Sequence, residues 1–129
     1  FMSPDDLKYH KEHSWARIEG KKATIGITNY AQETLGDIVY IELPDVNTEV
    51  DKDSEIAEIE STKATSPIIA PVTGKIVRVN EELSENPEII NGDPYEKGWI
   101  AVIEISDVNE IEELLDAEAY DKYVAEEAR

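Results

Sequence analysis

The sequence predicts a mainly β protein, a small barrel-sandwich with short helices and a C-terminal helical segment. Strand-like runs rich in Ile and Val, broken by Gly, Pro, Asn and Asp, occupy most of residues 15–105. The string Gly36-Asp37-Ile38-Val39-Tyr40-Ile41 returns as Gly74-Lys75-Ile76-Val77-Arg78-Val79, 38 residues later. Each copy is a glycine turn feeding a strand, as expected of two similar halves of a barrel-sandwich. After Ser106 the period changes: Val108, Ile111, Leu114 and Leu115 share one helical face, extended by Tyr120, Tyr123 and Val124. A length of 129 residues is enough for one domain with a real core. A single domain over 1–129 is expected, its core at about 7–105 and its helical segment at about 106–127.

Residues 15–19 and 23–28 flank a Gly20-Lys21-Lys22 turn and read as a hairpin. Thr28 is a natural cap for a short helix over 29–35, stopped by Gly36. Residues 37–43 form the next strand, closed by Pro44, and 45–54 read as an acidic loop. Residues 55–61 and 68–79 read as two further strands. Residues 80–94 read as a loop with one helical turn at 81–84. Trp99, Ala101, Ile103 and Ile105 alternate as a half-buried last strand, and Ser106 is the expected cap of the helical segment.

The turn after residue 61 singles out one side chain. Between Ser61 and Ser66 every residue is small or polar except Lys63. A long amine is held up at a hairpin with nothing bulky beside it, the arrangement a modifying enzyme needs to select one lysine among several. An ordinary solvated turn lysine has the same local pattern, and the choice rests on the rest of the chain.

Composition narrows the partners. Twelve basic and 30 acidic side chains give a formal charge of −18. Such a surface repels nucleic acid and anionic lipid and favours partners with basic patches, in contacts that salt weakens. There is no apolar run of membrane-spanning length and no signal peptide. Phe1 reads as a remnant ahead of a native start at Met2. With no cysteine, thiolate catalysis and disulfides are excluded, and any redox sulfur must come from a bound group. His10 and His13 lack the further ligands a metal site needs, and no metal is expected. Asp51, Asp53 and Glu55 begin like a calcium loop, but Ile56 and Thr62 stand where that loop requires Gly and Glu. No nucleophile elbow or phosphate-binding glycine loop is present.

Seven strings run in order and nearly end to end: Gly26-Ile27-Thr28-Asn29-Tyr30-Ala31-Gln32, Leu35-Gly36-Asp37-Ile38-Val39-Tyr40-Ile41-Glu42-Leu43-Pro44, Glu60-Ser61-Thr62-Lys63-Ala64, Ala70-Pro71-Val72-Thr73-Gly74, Asn80-Glu81, Asn91-Gly92-Asp93-Pro94-Tyr95 and Gly98-Trp99. Together they resemble the H protein family of the glycine cleavage system. The resemblance implies a lipoyl-domain-like barrel-sandwich and a carrier, not an enzyme. It implies lipoate in amide linkage to Lys63, with Ser61, Thr62 and Ala64 forming the attachment turn. Glu60 resembles the acidic residue that marks the site, and Gly74, 11 residues after Lys63, resembles the turn glycine of lipoyl and biotinyl hairpins.

The family carries an aminomethyl group on the lipoyl sulfur. A pyridoxal-phosphate glycine decarboxylase loads it, an aminomethyltransferase unloads it, and dihydrolipoamide dehydrogenase reoxidises the dithiol. A lipoate ligase or lipoyltransferase installs the cofactor. A free monomer is expected, in a prokaryotic cytoplasm if Met2 is the start, or in the mitochondrial matrix if a transit peptide was removed.

The resemblance also assigns acidic residues to a groove sheltering the loaded amine. Ser14 and Pro67 occupy two of those positions here, and Glu12 is the expected substitute for the first. Asp53 stands where the family usually has glycine, and aspartate can still adopt the left-handed conformation. The altered groove leaves open an H-like carrier that relays lipoyl groups to other enzymes or serves a different complex. A biotinyl carrier is disfavoured, because Lys63 lies between Thr62 and Ala64 where biotinyl lysines resemble Met-Lys-Met.

Overall fold

The computed structural model describes residues 3–127; Phe1 and Met2, the expected remnant and start, lie outside the described residues. Two antiparallel sheets face each other. In chain order the strands are β1 (Lys8–Tyr9), β2 (Ser14–Glu19), β3 (Lys22–Ile27), β4 (Ile38–Glu42), β5 (Glu49–Val50), β6 (Glu55–Ser61), β7 (Thr65–Ile69), β8 (Gly74–Val79) and β9 (Ala101–Ile105). The larger sheet runs β1-β2-β3-β9-β8-β5 and the smaller β4-β6-β7. The helices are α1 (Asn29–Leu35), α2 (Glu82–Glu85), α3 (Ile89–Gly92) and α4 (Ala117–Glu127), with a 3-10 segment at Val108–Glu113. This is the expected barrel-sandwich, and the two copies of the glycine-strand repeat become β4 and β8, one in each sheet.

Alternation explains the sandwich. In β6 the carboxylates Glu58 and Glu60 face water while Ala57, Ile59 and Ser61 face inward. Ile25, Ile59, Ile68, Ile76 and Ile103 meet between the sheets with almost no exposed surface. A second apolar cluster forms outside the larger sheet, where Leu7, Tyr9 and Trp15 pack on Ala117, Tyr120 and Val124 of α4. Tyr9 and Tyr120 stack there with ring centroids 4.7 Å apart. Gly26 makes room for Trp15, whose indole would overlap any side chain at that position.

The structure departs from the sequence expectation in five places. The run 68–79 is two strands in different sheets, because Pro71 breaks the ladder and Ala70 donates back to Ser54. The acidic loop contains β5, paired to β8. Residues 80–94 hold α2 and also α3. The 3-10 segment is capped by Asp107, whose side chain accepts from Asn109, while the Ser106 amide donates to Thr73. The short β1 was not visible in the pattern; its Tyr9 exchanges two backbone hydrogen bonds with Leu115.

Gly74 is also not the turn glycine the resemblance implies. It opens β8 without a positive φ, and a methyl group there would overlap the Glu104 carbonyl and crowd Ile103. Close approach between β8 and β9 is what requires glycine. Gly74→Ala is expected to cost about 1–3 kcal/mol from forced displacement of backbone. Gly92→Ala, which meets open space, should stay within about 0.5 kcal/mol of the wild type. Urea unfolding of the two variants checks both.

Candidate functional site

Lys63 stands exposed at the tip of the β6–β7 hairpin, with Thr62, Ala64 and Thr65 also exposed. Ser61 ties this tip. Its hydroxyl accepts from the amides of Lys63 (3.2 Å) and Ala64 (3.0 Å) and donates to the Ala64 carbonyl (3.1 Å). The Ser61 amide donates to the same carbonyl at 2.8 Å. Ser61 is itself buried, so one hydroxyl supplies the bonds that a tight four-residue turn would otherwise leave to water. The Thr62 amide donates to the Asp37 carbonyl at 3.0 Å, fixing the tip to the start of β4.

The lysine stem has a seat. Gly36 ends α1 with φ +83°, and the Cβ of any other residue would lie 3.0 Å from the Lys63 Cε. Gly36 therefore both terminates the helix and clears the path of the side chain. Asn91 holds this corner. Its side-chain amide donates to the Gly36 carbonyl and to Gln32, both at 2.9 Å, and its oxygen accepts from the Ile38 amide at 2.9 Å.

Beside α1 and β7 lies a cleft of about 170 Å³. Glu12, Ser14 and Pro67, far apart in sequence, all line it, along with Thr34 and Leu35 next to the lysine seat. Pro67 sits on an edge strand, where a missing amide costs no ladder bond. The buried Ser14 hydroxyl is committed to the Ile69 carbonyl at 2.9 Å. Glu60 points outward beside the tip, opposite Tyr40 and Thr65. Gly74 belongs to the other sheet and takes no part in the hairpin.

Two further groups line this cleft: His13, which the sequence raised only as a rejected metal ligand, and Glu127, which it did not single out. His13 Nε2 lies 2.9 Å from Glu127 Oε2, and its Nδ1 lies 2.8 Å from the Tyr120 hydroxyl. That hydroxyl is 2.7 Å from Thr28 Oγ1, which accepts from the Ala31 amide as the cap of α1. Hydrogen-bond bookkeeping assigns the protons for neutral His13. Thr28 donates to Tyr120, Tyr120 to Nδ1, and Nε2–H to Glu127. Burial pushes the Tyr120 phenol well above its usual range, so it remains a donor. Glu127, in the last described turn of α4, thus sets a carboxylate against this cleft. Nothing local marks it, because Tyr120 and His13 are separated by 107 positions.

A second histidine supports the entry to β6. His10 Nδ1 accepts from the Glu12 amide at 2.9 Å, which leaves Nε2–H to donate to Asp53 at 2.6 Å. Asp53 adopts φ +71°, the left-handed conformation expected of it. Among the described residues no three side chains of metal-binding type come together.

Fold and site together define a carrier class: a barrel-sandwich that presents a lysine on a tied hairpin beside a narrow cleft. The chain belongs to the glycine cleavage H-protein family, whose sequence profile matches residues 7–127. It is 51% identical over 124 residues to the glycine cleavage system H protein of Halalkalibacterium halodurans, covering 96% of this chain and 97% of that one. It is 52% identical over 122 residues to the mitochondrial glycine cleavage system H protein 2 of Arabidopsis thaliana, covering 95% and 78%. The crystal structure of the H protein from Mycobacterium marinum superposes with a TM-score of 0.88 at 36% identity, over 95% of this chain and 99% of that one. The chain is thus a lipoyl carrier of the glycine cleavage system and not an enzyme, and its cofactor is covalent lipoate.

The His10 hydrogen bond holds the Asp53 carboxyl below the usual aspartate range, with the Lys52 ammonium adding to it. A lowered folded-state pKa contributes stability that is present above the unfolded pKa and lost as pH falls through the folded one. Carboxyl NMR should therefore show Asp53 titrating below ordinary aspartates. His10→Asn should move its midpoint back upward; an unmoved midpoint would deny the role of His10.

Proposed function

We propose that Lys63 is the lipoyl-attachment residue, with Glu60 as the acidic mark beside it and Ser61, Thr62 and Ala64 as the turn that presents it. The observation carrying this reading is the tip itself: an exposed lysine on a turn tied by a buried hydroxyl, its stem running over a glycine. The residues suit the group. The tip leaves the lysine amine open for an amide bond, and the adjacent cleft gives the long acylated side chain a partly apolar resting place with a polar mouth.

When bound, lipoate supplies the disulfide that accepts the aminomethyl group, chemistry that this cysteine-free chain has no side chain to perform. The protein's part is presentation. The knot at Ser61 keeps the attachment point fixed while the side chain beyond it stays free, which converts each transfer into an encounter at high effective concentration. The chain serves as one carrier unit, a monomer when free. It is loaded by the glycine decarboxylase, unloaded by the aminomethyltransferase and reset by dihydrolipoamide dehydrogenase. Bacterial and mitochondrial relatives support a prokaryotic cytoplasm or a mitochondrial matrix as its compartment. Among the described residues no helix is long and apolar enough to cross a membrane.

Glu12 and Glu127 are the carboxylates that the cleft offers to a cationic cargo, since Ser14 and Pro67 carry no charge. His13 orients Glu127, whereas among the described residues Glu12 is tied only through its backbone amide, which donates to His10. Glu127 is therefore the better placed anchor.

Lys63→Arg keeps charge and reach but cannot be acylated under the same chemistry. Treated with a lipoate ligase, the wild type should gain one lipoyl group by intact mass and the variant none. Acylation of the arginine form would place the site elsewhere. In the loaded carrier, freed of decarboxylase, Glu127→Gln should shorten the lifetime of the aminomethyl adduct about fivefold, a charge-assisted bond discounted for partial exposure. Glu12→Gln should have the smaller effect; the reverse order would make Glu12 the anchor.

A further inference from the structure

β4 is a free edge of the smaller sheet, and its register with β6 slips between Ile38 and Tyr40. Ile38 faces Ser61 and Tyr40 faces Glu60, so Val39 is the extra residue of a bulge. Regular alternation would turn one of these neighbours inward. Instead Val39 and Tyr40 are 49% and 53% exposed, between Ile38 and Ile41 at 3% each. Two consecutive apolar side chains thus stand in water. They adjoin Asp37, whose carbonyl is bonded to the lysine hairpin at Thr62. Across the ladder Tyr40 neighbours Glu60 and Glu42 neighbours Glu58. All three carboxylates are exposed, and none forms an ion pair among the described residues.

We propose that this bulge is the docking surface of the enzyme that acylates Lys63, which meets it with an apolar pocket rimmed by basic side chains. The proposal rests on Lys63 being the attachment residue. In that reaction the free-base ε-amine attacks the carbonyl carbon of an activated acyl donor, a mixed anhydride or thioester. The C–N bond forms, the leaving group departs with its electron pair, and the surplus Nζ proton passes to solvent. The reacting atoms sit at the root of the arm, and the lysine stem lies over Gly36. An enzyme that closes on Nζ comes over Gly36, and Asp37 to Tyr40 continue the chain directly from that seat. Enzymes acting on the far end of the acylated side chain meet a group carried away from the hairpin and have no need to touch the bulge. Charge favours the same occupant, because the apolar pair is framed by Glu42, Glu58 and Glu60.

The test uses the whole chain carrying Val39→Ser and Tyr40→Ser together, with purified lipoate ligase, lipoate and ATP. Acylation is followed by intact mass over a range of carrier concentrations. KM for the carrier should rise about tenfold, the loss expected on removing a central aromatic anchor, with kcat within about twofold. Val46→Ser, comparably exposed but in the loop leading to β5 of the other sheet, should behave as wild type. Fully lipoylated double variant should be turned over by dihydrolipoamide dehydrogenase at the wild-type rate. An unchanged KM overturns the proposal, and so does an equal loss in the dehydrogenase assay. If the double variant unfolds early, Tyr40→Gln alone carries the same readings. Acylation of Lys63→Arg under these conditions would instead defeat the underlying site assignment.

Discussion

A helix of seven residues has almost no stability of its own in water, so α1 exists because its two ends are held. At its start Thr28 caps the first turn and hands its hydroxyl to Tyr120 on α4. At its end Asn91 grips the Gly36 carbonyl and the amide of Ile38. Everything functional leans on that placement. Gly36 clears the lysine stem, Thr34 and Leu35 wall the cleft, and His13 reaches the same Tyr120 that secures the cap. These clamps are polar side chains in dry surroundings, where an unpaired group is costly, and no buried side-chain nitrogen or oxygen among the described residues lacks a partner.

The C-terminal helix is consequently more than a cover for the sheet. Its inner face supplies Tyr120 and Val124 to the second apolar cluster, and its last described turn supplies Glu127 to the cleft. In a chain of net charge −18 most carboxylates repel one another in solvent. One that is directed by a histidine differs from the rest in geometry, not in charge.

Much of the architecture was legible because it follows local rules. α1 matches its expected bounds, since Thr28 and Gly36 are cap residues with clear signatures. β6 was readable from the alternation of Glu58, Ile59, Glu60 and Ser61. The failures are long-range. Nothing near Glu49 announces its pairing with Lys75, and nothing near Tyr9 its bridge to Leu115. The site divides in the same way. Lys63 and its small neighbours are contiguous in sequence, so the turn could be read directly. Glu12, Ser14 and Pro67 were reached through family resemblance, and they do share one cleft. The His13–Glu127 contact joins the approach to β2 with the C-terminal helix, and Asn91 works through three partners brought to it by folding, so neither leaves a local signature. Gly74 was read as a turn glycine of the lysine hairpin, whereas a contact with Glu104 in another strand of the larger sheet requires it.

The bulge in β4 has a further consequence for how such a protein survives in a crowded cell. An open sheet edge bearing apolar side chains invites a second chain to add a strand, which is the first step of edge-to-edge aggregation. Here the extra residue interrupts the regular spacing of amides and carbonyls between Ile38 and Tyr40, and Glu42 follows two residues on. A flat incoming strand cannot keep register across the kink, and a second copy would bring the same acids against them. The distortion that leaves Val39 and Tyr40 in water thereby also keeps them from templating a fibril.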